Sequence, residues 1–438
     1  MPCTLARGTR SALPFRFIHT ADIHLDSPLK SLALRNAELG RLIGGATRAA
    51  FSQIVDLACE EAVDAVLIAG DLYDGAQTSM KTAIFLAHEL QRLDDAGIRT
   101  FLIRGNHDAA SRITNELTLP ASVTTFTARA ETVTLTPDAP FEVAIHGVSF
   151  RQPQAPDSLL DKFKPPVAGA VNIAMLHTSL GGAPGHDPYA PCQPAELDAM
   201  GFDYWALGHI HQRSVQGAAS KIVMPGIPQG RDIGEAGGKS VSLVTVADDR
   251  IITIEERTVA LARFERVAVD LAGVEDWSEM VSRIESALRT ARAALDCRHL
   301  VARLELSGQT PLSWRLRRDA DKLAGEAEAI ALAIGDTWID KITNATVSAD
   351  AEAEPASGDG PPLQELGALI DGEILQSPGY RQAVEALADD ITSQLPGEIR
   401  DVLGEDTERR AKILDDLARE GARDILARLQ AAPESGDA

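Results

Sequence analysis

Six short apolar runs occur in the first 211 residues: FRFIHTAD, DAVLIAGD, RTFLIRGNHD, FEVAIHGVSF, VNIAMLHTSL and DYWALGHIH. All but the fourth run into Asp, Asn or His. Their shortness and their Val, Ile, Leu and Phe content read as strands. Between the early ones, residues 46–62 (ATRAAFSQIVDLACEEA) and 78–96 (TSMKTAIFLAHELQRLDDA) place apolar side chains at helical spacing, with Gly97 as a stop for the second helix. Strand and helix alternating in this way predict α/β layering. The later stretch KSVSLVTVADDRIITIEE adds an antiparallel pair across the turn ADDR.

A chain of 438 residues has room for two or three domains. The pattern divides it into an N-terminal extension (1–13), an α/β domain (14–260), a small α+β unit with two strands around a helix at 276–294 (261–349), a flexible acidic linker DAEAEPASGDGPP (350–362) and a helical C-terminal region (363–438). No apolar run of membrane-spanning length or secretory leader is visible, which places the expected address in the cytoplasm without a membrane. Four scattered cysteines form no C-x-x-C pair, arguing against a zinc–thiolate site. Cys59 is assigned to the core. The net charge of −22 is uneven: residues 1–250 carry −6, and residues 351–438 carry −12. The acidic tail therefore need not describe the surface around a site in the first domain.

Chemistry gathers at the strand ends. They offer in order Asp22 and His24, Asp71 and Asp74, Asn106, His107 and Asp108, His177, and His209 with His211. On a strand His209 and His211 would share one face, because side chains alternate with period two. Ligands of α/β sheets bind at the carboxyl edge, so groups scattered over 190 residues converge. Asp, Asn and His without Cys suit divalent Mn, Fe or Zn. Seven candidates exceed one ion's needs. Two ions about 3.5–4 Å apart, sharing a carboxylate, would use them and would suit phosphate-ester hydrolysis. Glycines before Asp71, Asn106 and His209 would let each ligand swing inward where a Cβ would obstruct.

The series D-x-H, GD-x-x-D, GNHD, H and GH-x-H resembles the calcineurin-like metallophosphoesterase superfamily. HTADIHLDSPL, AGDLYD, RGNHD and PGIPQGRDIGEAGGKSVSLV are similar to its bacterial SbcD/YhaO branch of DNA-repair exonuclease subunits. The resemblance spans residues 14–260. It implies a β-sandwich flanked by helices, with a small α+β capping domain and a helical C-terminal region after it. It further implies that Asp22, His24, Asp71 and His211 hold one metal and Asp71, Asn106, His177 and His209 a second, Mn being the expected ion. Asp71 would bridge. His107 would serve as general acid or charge stabiliser, with Asp74 as its partner. The archaeal and eukaryotic nucleases of the family carry a histidine where Asp74 stands, and an aspartate there resembles the phosphatase members. Expected partners are DNA and the base of an SMC-like coiled-coil ATPase; a homodimer is left open. Two alternatives stand beside DNA hydrolysis: a phosphoesterase for nucleotides or other small phosphorylated substrates, and a metal-binding scaffold for an ATPase.

Other residues read less sharply. His19 and His146 lie within strands and read as core, His88 lies on a helix, and His186 lies in a loop that could border the site. Arg231 in PGIPQGR could contact a substrate phosphate. WRLRR (314–318) combines an aromatic with three guanidiniums; the acidic residues after it favour a solvated helix face over a phosphate patch. Ile413, Leu414, Leu417, Ala418, Ile425, Leu426 and Leu429 form one helical stripe, for packing on its own domain or for docking a partner.

Overall fold

The computed structural model describes residues 14–27, 37–74, 79–109, 119–181, 189–348, 362–395, 403–404 and 406–430. His186, the N-terminal extension and nearly all of the acidic linker lie outside them. The chain divides into two compact units, one built mainly of residues 33–264 with the N-terminal segment, the other of 265–295 and 300–438.

The first unit stacks two six-stranded sheets. One has the order β12-β11-β1-β2-β3-β4, the other β5-β6-β7-β8-β10-β9. In the first sheet β1 (Phe15–Thr20), β2 (Ala65–Ala69), β3 (Arg99–Ile103) and β4 (Val123–Thr125) run parallel. The hairpin β11 (Ser240–Val246) and β12 (Ile252–Thr258) closes one edge antiparallel to β1. In the second, β6 (Val143–Gly147), β7 (Val171–His177), β8 (Tyr204–Gly208) and β10 (Lys221–Met224) are parallel, with β5 (Glu131–Leu135) and β9 (Ser214–Gln216) antiparallel at the edges. The strands β4, β5, β9 and β10, short or half exposed, were not read from the sequence.

Alternation hidden in the continuous apolar runs emerges in the packing. Phe17, Leu67, Phe101 and Ile103 of the first sheet meet Val143, Ile173, Met175 and Tyr204 of the second between the layers. Their neighbours Ile18, Val66, Ile68 and Leu102 point outward onto α1 (Ala46–Glu60) and α2 (Met80–Asp95), while Ala174, Leu176, Trp205 and Leu207 fill the far side of the second sheet. Both faces of each central strand are therefore dry, which is why the runs are mostly apolar and do not alternate with polar residues. Cys59 corrects the expectation of a core position. The buried face of α1 is Ala50, Phe51, Ile54, Val55 and Ala58, and one residue further turns the thiol about 100° towards solvent.

His19 and His146 are core residues. His19 is buried between the Tyr204 hydroxyl and the Leu207 carbonyl, each 3.0 Å away, and His146 between Thr132 and Asn172.

In the second unit β13 (Ala262–Asp270), β14 (His299–Ser307) and β15 (Thr337–Asn344) form a three-stranded sheet backed by α3 (Trp277–Ala293). The WRLRR guanidiniums are used internally: Arg315 lies over the Trp277 ring, Arg318 over Trp314, and Arg317 donates to the Asn344 carbonyl. On α4 (Thr407–Gln430) the apolar stripe is only partly covered, with Leu414 buried and Leu417, Ile425 and Leu429 exposed.

Candidate metal centre

Beyond the carboxyl ends of β1 and β2 the two chains stay side by side. The Asp22 N–H donates to the Gly70 carbonyl at 2.9 Å, His24 N–H to the Asp71 carbonyl at 3.1 Å and Leu25 N–H to that of Leu72 at 2.9 Å. The loop after β3 is fastened to them by Asp108. Its buried carboxylate accepts the N–H groups of Leu72, Tyr73 and Gly105 at 3.0–3.2 Å. Burial, with Asp71 close by, pushes the Asp108 carboxyl up to about 6. From the second sheet, His177 is the last residue of β7, and His209 follows β8 directly.

The backbone is strained where these side chains turn inward. Asp22, His24, Asp71 and His209 have φ of 52°, 47°, 52° and 104°, a region that costs residues with a Cβ of order 1–3 kcal/mol each. Space is equally tight. A Cβ on Gly105 would overlap the Asp71 carboxylate and lie 2.8 Å from His177 Nε2, and one on Gly208 would overlap the Ala69 carbonyl. Glycine is thus demanded by contact, as the sequence reading anticipated.

Three side-chain groups result, each with ligand atoms within 4.8 Å of one another: Asp22, His24 and His211; Asp71, His177 and His209; and His24, Asp74 and His107. Asn106 joins the second, its Oδ1 3.1 Å from His177 Nε2. All nine residues expected at the centre are therefore brought together. His209 and His211 do not share a face, however. The strand ends at Gly208, and the unusual φ of His209 sends the two imidazoles to different groups.

The donor atoms suit cations. His177 Nδ1 lies 2.9 Å from the Ala69 carbonyl, which can only accept, so Nδ1 carries the hydrogen and the Nε2 lone pair faces Asp71 Oδ2 at 3.3 Å. His211 Nδ1 lies 2.8 Å from Glu235 Oε1, leaving its Nε2 lone pair 3.2 Å from His24 Nε2. Lone pairs converging in this way call for positive charge between them. A proton can serve: burial favours the neutral His177 imidazole, yet the Asp71 carboxylate overcomes it and pushes His177 up to about 9. The same pairing holds Asp71 below the usual carboxylate range against the opposing effect of burial. A divalent ion meets the same demand more fully, and a set of Asp, Asn and His fits one.

Asp74 and His107 form a pair beside these groups, Oδ1 to Nδ1 3.2 Å. The bond from His107 holds Asp74 well below the usual range, and the Asp74 bond raises His107. The sequence reading quoted the motifs that contain Ser27 and Glu235 but gave neither residue a role, because both lie beyond the strand ends and neither is a ligand in the D-x-H, GD-x-x-D, GNHD, H and GH-x-H series. Arg231 also lies here, with its Nη2 2.6 Å from Glu235 Oε1. Gln229 is wholly buried and satisfies backbone groups of residues 230, 261 and 262.

The profile of the calcineurin-like phosphoesterases matches residues 15–213, and that of the middle domain of the metallophosphoesterase YhaO matches residues 264–347. The chain is 32% identical to an uncharacterised metallophosphoesterase YhaO of Bacillus subtilis over 72% of its own length and 76% of that protein's. It belongs to the calcineurin-like metallophosphoesterases. Membership makes it a metal-dependent phosphodiesterase hydrolase and implies a dinuclear divalent metal site. More distant similarity extends to a DNA repair protein and to a nuclease subunit. It is 29% identical to the DNA double-strand break repair protein Mre11 of Sulfurisphaera tokodaii, over 46% of this chain and 50% of that one. It is 24% identical to a subunit of the nuclease SbcCD of Escherichia coli, over 60% and 74%. No described helix is long and apolar enough to cross a membrane.

Proposed function

We propose that this metallophosphoesterase hydrolyses phosphodiester bonds of DNA, as the cytoplasmic nuclease subunit of a repair complex with an SMC-like coiled-coil ATPase. The observation that carries the reading is the meeting of Asp22, His24 and His211 with Asp71, His177 and His209 at the carboxyl edge of two sheets. In this reading Asp22, His24, Asp71 and His211 would hold one ion, and Asp71, Asn106, His177 and His209 the other. Mn is the expected metal. Such ions supply charge for the phosphoryl oxygens and acidify a water.

His107 completes the chemistry. Asp74 faces its Nδ1 and favours the charged imidazolium, so Nε2 is the nitrogen able to hand a proton to the leaving oxygen as the P–O bond breaks. The names of the Mre11 and SbcCD relatives favour DNA over nucleotides as substrate.

For organisation, we propose residues 14–260 as the catalytic domain, 261–349 as a cap, 350–362 as a linker and 363–438 as the docking region for the ATPase. Exposed Leu387, Ile391 and Leu417, lining an apolar groove of about 400 Å³, support that last assignment.

The test is hydrolysis, with Mn, of labelled single-stranded, double-stranded and hairpin DNA beside bis(p-nitrophenyl) phosphate, for wild type, Asp71→Asn and His107→Ala. Both substitutions should lower turnover by about 10²-fold or more, with His107→Ala still binding metal. Cleavage of the small diester alone would move the substrate to nucleotides. No cleavage, with or without the ATPase, would leave a scaffold.

A further inference from the structure

A continuous run of hydrogen bonds links two imidazoles that the proposed chemistry uses separately. His211 Nδ1 meets Glu235 Oε1 at 2.8 Å. Arg231 grips the same carboxylate, Nη2 2.6 Å from Oε1 and Nε 3.1 Å from Oε2. Its Nη1 donates to Ser27 Oγ at 3.2 Å, and the Ser27 hydroxyl donates to Asp74 Oδ2 at 2.6 Å. Asp74 Oδ1 then faces His107 Nδ1 at 3.2 Å.

Each link has a fixed direction. A carboxylate oxygen can only accept, so both imidazoles carry hydrogen on Nδ1 and turn Nε2 away from their carboxylate partner. For His211 that leaves the lone pair which points at His24. The planar edge of Arg231 formed by Nε and Nη2 is one edge that could meet a phosphate through two parallel bonds, and Nη1 on the other edge is engaged by Ser27. Glu235 already fills the first edge. The side chains of Arg231 and Glu235 are only 21% and 13% exposed, so the pair is mostly withdrawn from solvent, and the one guanidinium lies between two carboxylates.

We propose that Arg231 is a positioning residue and not a phosphate ligand: through Glu235 it sets the tautomer of metal-binding His211, and through Ser27 and Asp74 it orients proton-handling His107. Carboxylates bonded to a ligating histidine tune it in this way, and their loss weakens metal binding by about 10–100-fold. Arginine is required because a lysine ammonium cannot offer Nε and Nη2 to Glu235 while reaching Ser27.

The inference rests on the two-metal reading, and the test separates them. Mn is titrated calorimetrically into metal-free full-length protein, and bis(p-nitrophenyl) phosphate kinetics are recorded on the same samples, with thermal unfolding to confirm folding. Wild type should take up two Mn. Arg231→Met should weaken one of the two by about 10–100-fold and leave the other within about twofold, lowering kcat while KM for the diester stays constant. Arg231→Lys should restore little.

Glu235→Gln, nearly isosteric and a safeguard if Arg231→Met does not fold, should show the same selective loss. Combining the two should add nothing, as for residues acting in one chain. Ser27→Ala should lower kcat with both Mn affinities intact. A raised KM with unchanged Mn binding in Arg231→Met would mark a phosphate ligand and overturn the inference alone. Equal weakening of both ions by Glu235→Gln would also overturn it. Fewer than two Mn on wild type would overturn the two-metal reading and this inference together.

Discussion

Gly105→Ala is the smallest substitution that the geometry forbids. Gly105 does not have the positive φ that restricts glycine replacement, so alanine meets no backbone penalty there and the effect comes from contact alone. The added Cβ would lie 2.8 Å from Asp71 Cγ and 2.8 Å from His177 Nε2, and closer still to Asp71 Oδ1. Carbon atoms rest about 3.5–4.0 Å apart, so at least about 0.7 Å must open. Asp71 cannot yield freely: it is 2% exposed, and its Oδ1 accepts the His107 N–H at 3.0 Å.

Functional constellations tolerate about 0.5 Å of displacement. The shift therefore exceeds what a shared ligand can absorb. We expect Gly105→Ala to weaken Mn binding by about 100-fold or more, at a cost of about 1–3 kcal/mol to the metal-free fold, the usual range for an overpacked methyl. Isothermal titration with Mn, beside chemical unfolding in chelator, measures both. Two Mn bound at wild-type affinity by the variant would refute the reasoning, since the carboxylate would then have room that the structure denies it.

Three further outcomes follow from the same structure. Chelation should lower the unfolding temperature, and Mn at 100 times its dissociation constant should restore about 2.7 kcal/mol per site; no thermal shift on adding Mn would refute a prebuilt centre. Burial pulls His19 down to about 3 from an ordinary value near 6.5, so below pH 6.5 the unfolded chain binds a proton that the folded chain refuses. The stability tied to neutral His19 is complete above pH 6.5 and falls by up to about 1.4 kcal/mol per pH unit down to about pH 3; His19→Gln should flatten that acid slope in metal-free protein, and an unchanged slope would count against it. Gly325, exposed in the helix Ala320–Ile334 with nothing within 4 Å of an added Cβ, should accept alanine with a gain of about 0.5–1 kcal/mol by chemical unfolding, and a loss would refute the open space there.

The centre was legible because its ligands sit in short motifs at strand ends. An apolar run of five or six residues announces a dry strand, and the acid or histidine that follows it must lie at the sheet edge whatever the loop does. That rule alone placed Asp22, Asp71, Asn106 and His177 together, and the resemblance assigned their roles. It could not see Cys59 facing solvent, because a helix face is decided by neighbours on a ring of 3.6 residues and not by the residue's own polarity.

Sequence by itself determined the strand and helix rhythm, the edge at which chemistry collects and the ligand types available there, since these depend on local periodicity and on what each side chain can donate or accept. Tertiary structure alone decided which ligands meet. The φ of His209 parts it from His211, and Asp108 draws in the N–H groups of Leu72 and Tyr73, 36 and 35 residues earlier. Arg231 joins Glu235 to Ser27, 204 residues before it. The Asp108 bonds need β2 and β3 paired in one sheet, and the Arg231–Ser27 bond needs segments 204 residues apart to meet; no local pattern encodes either.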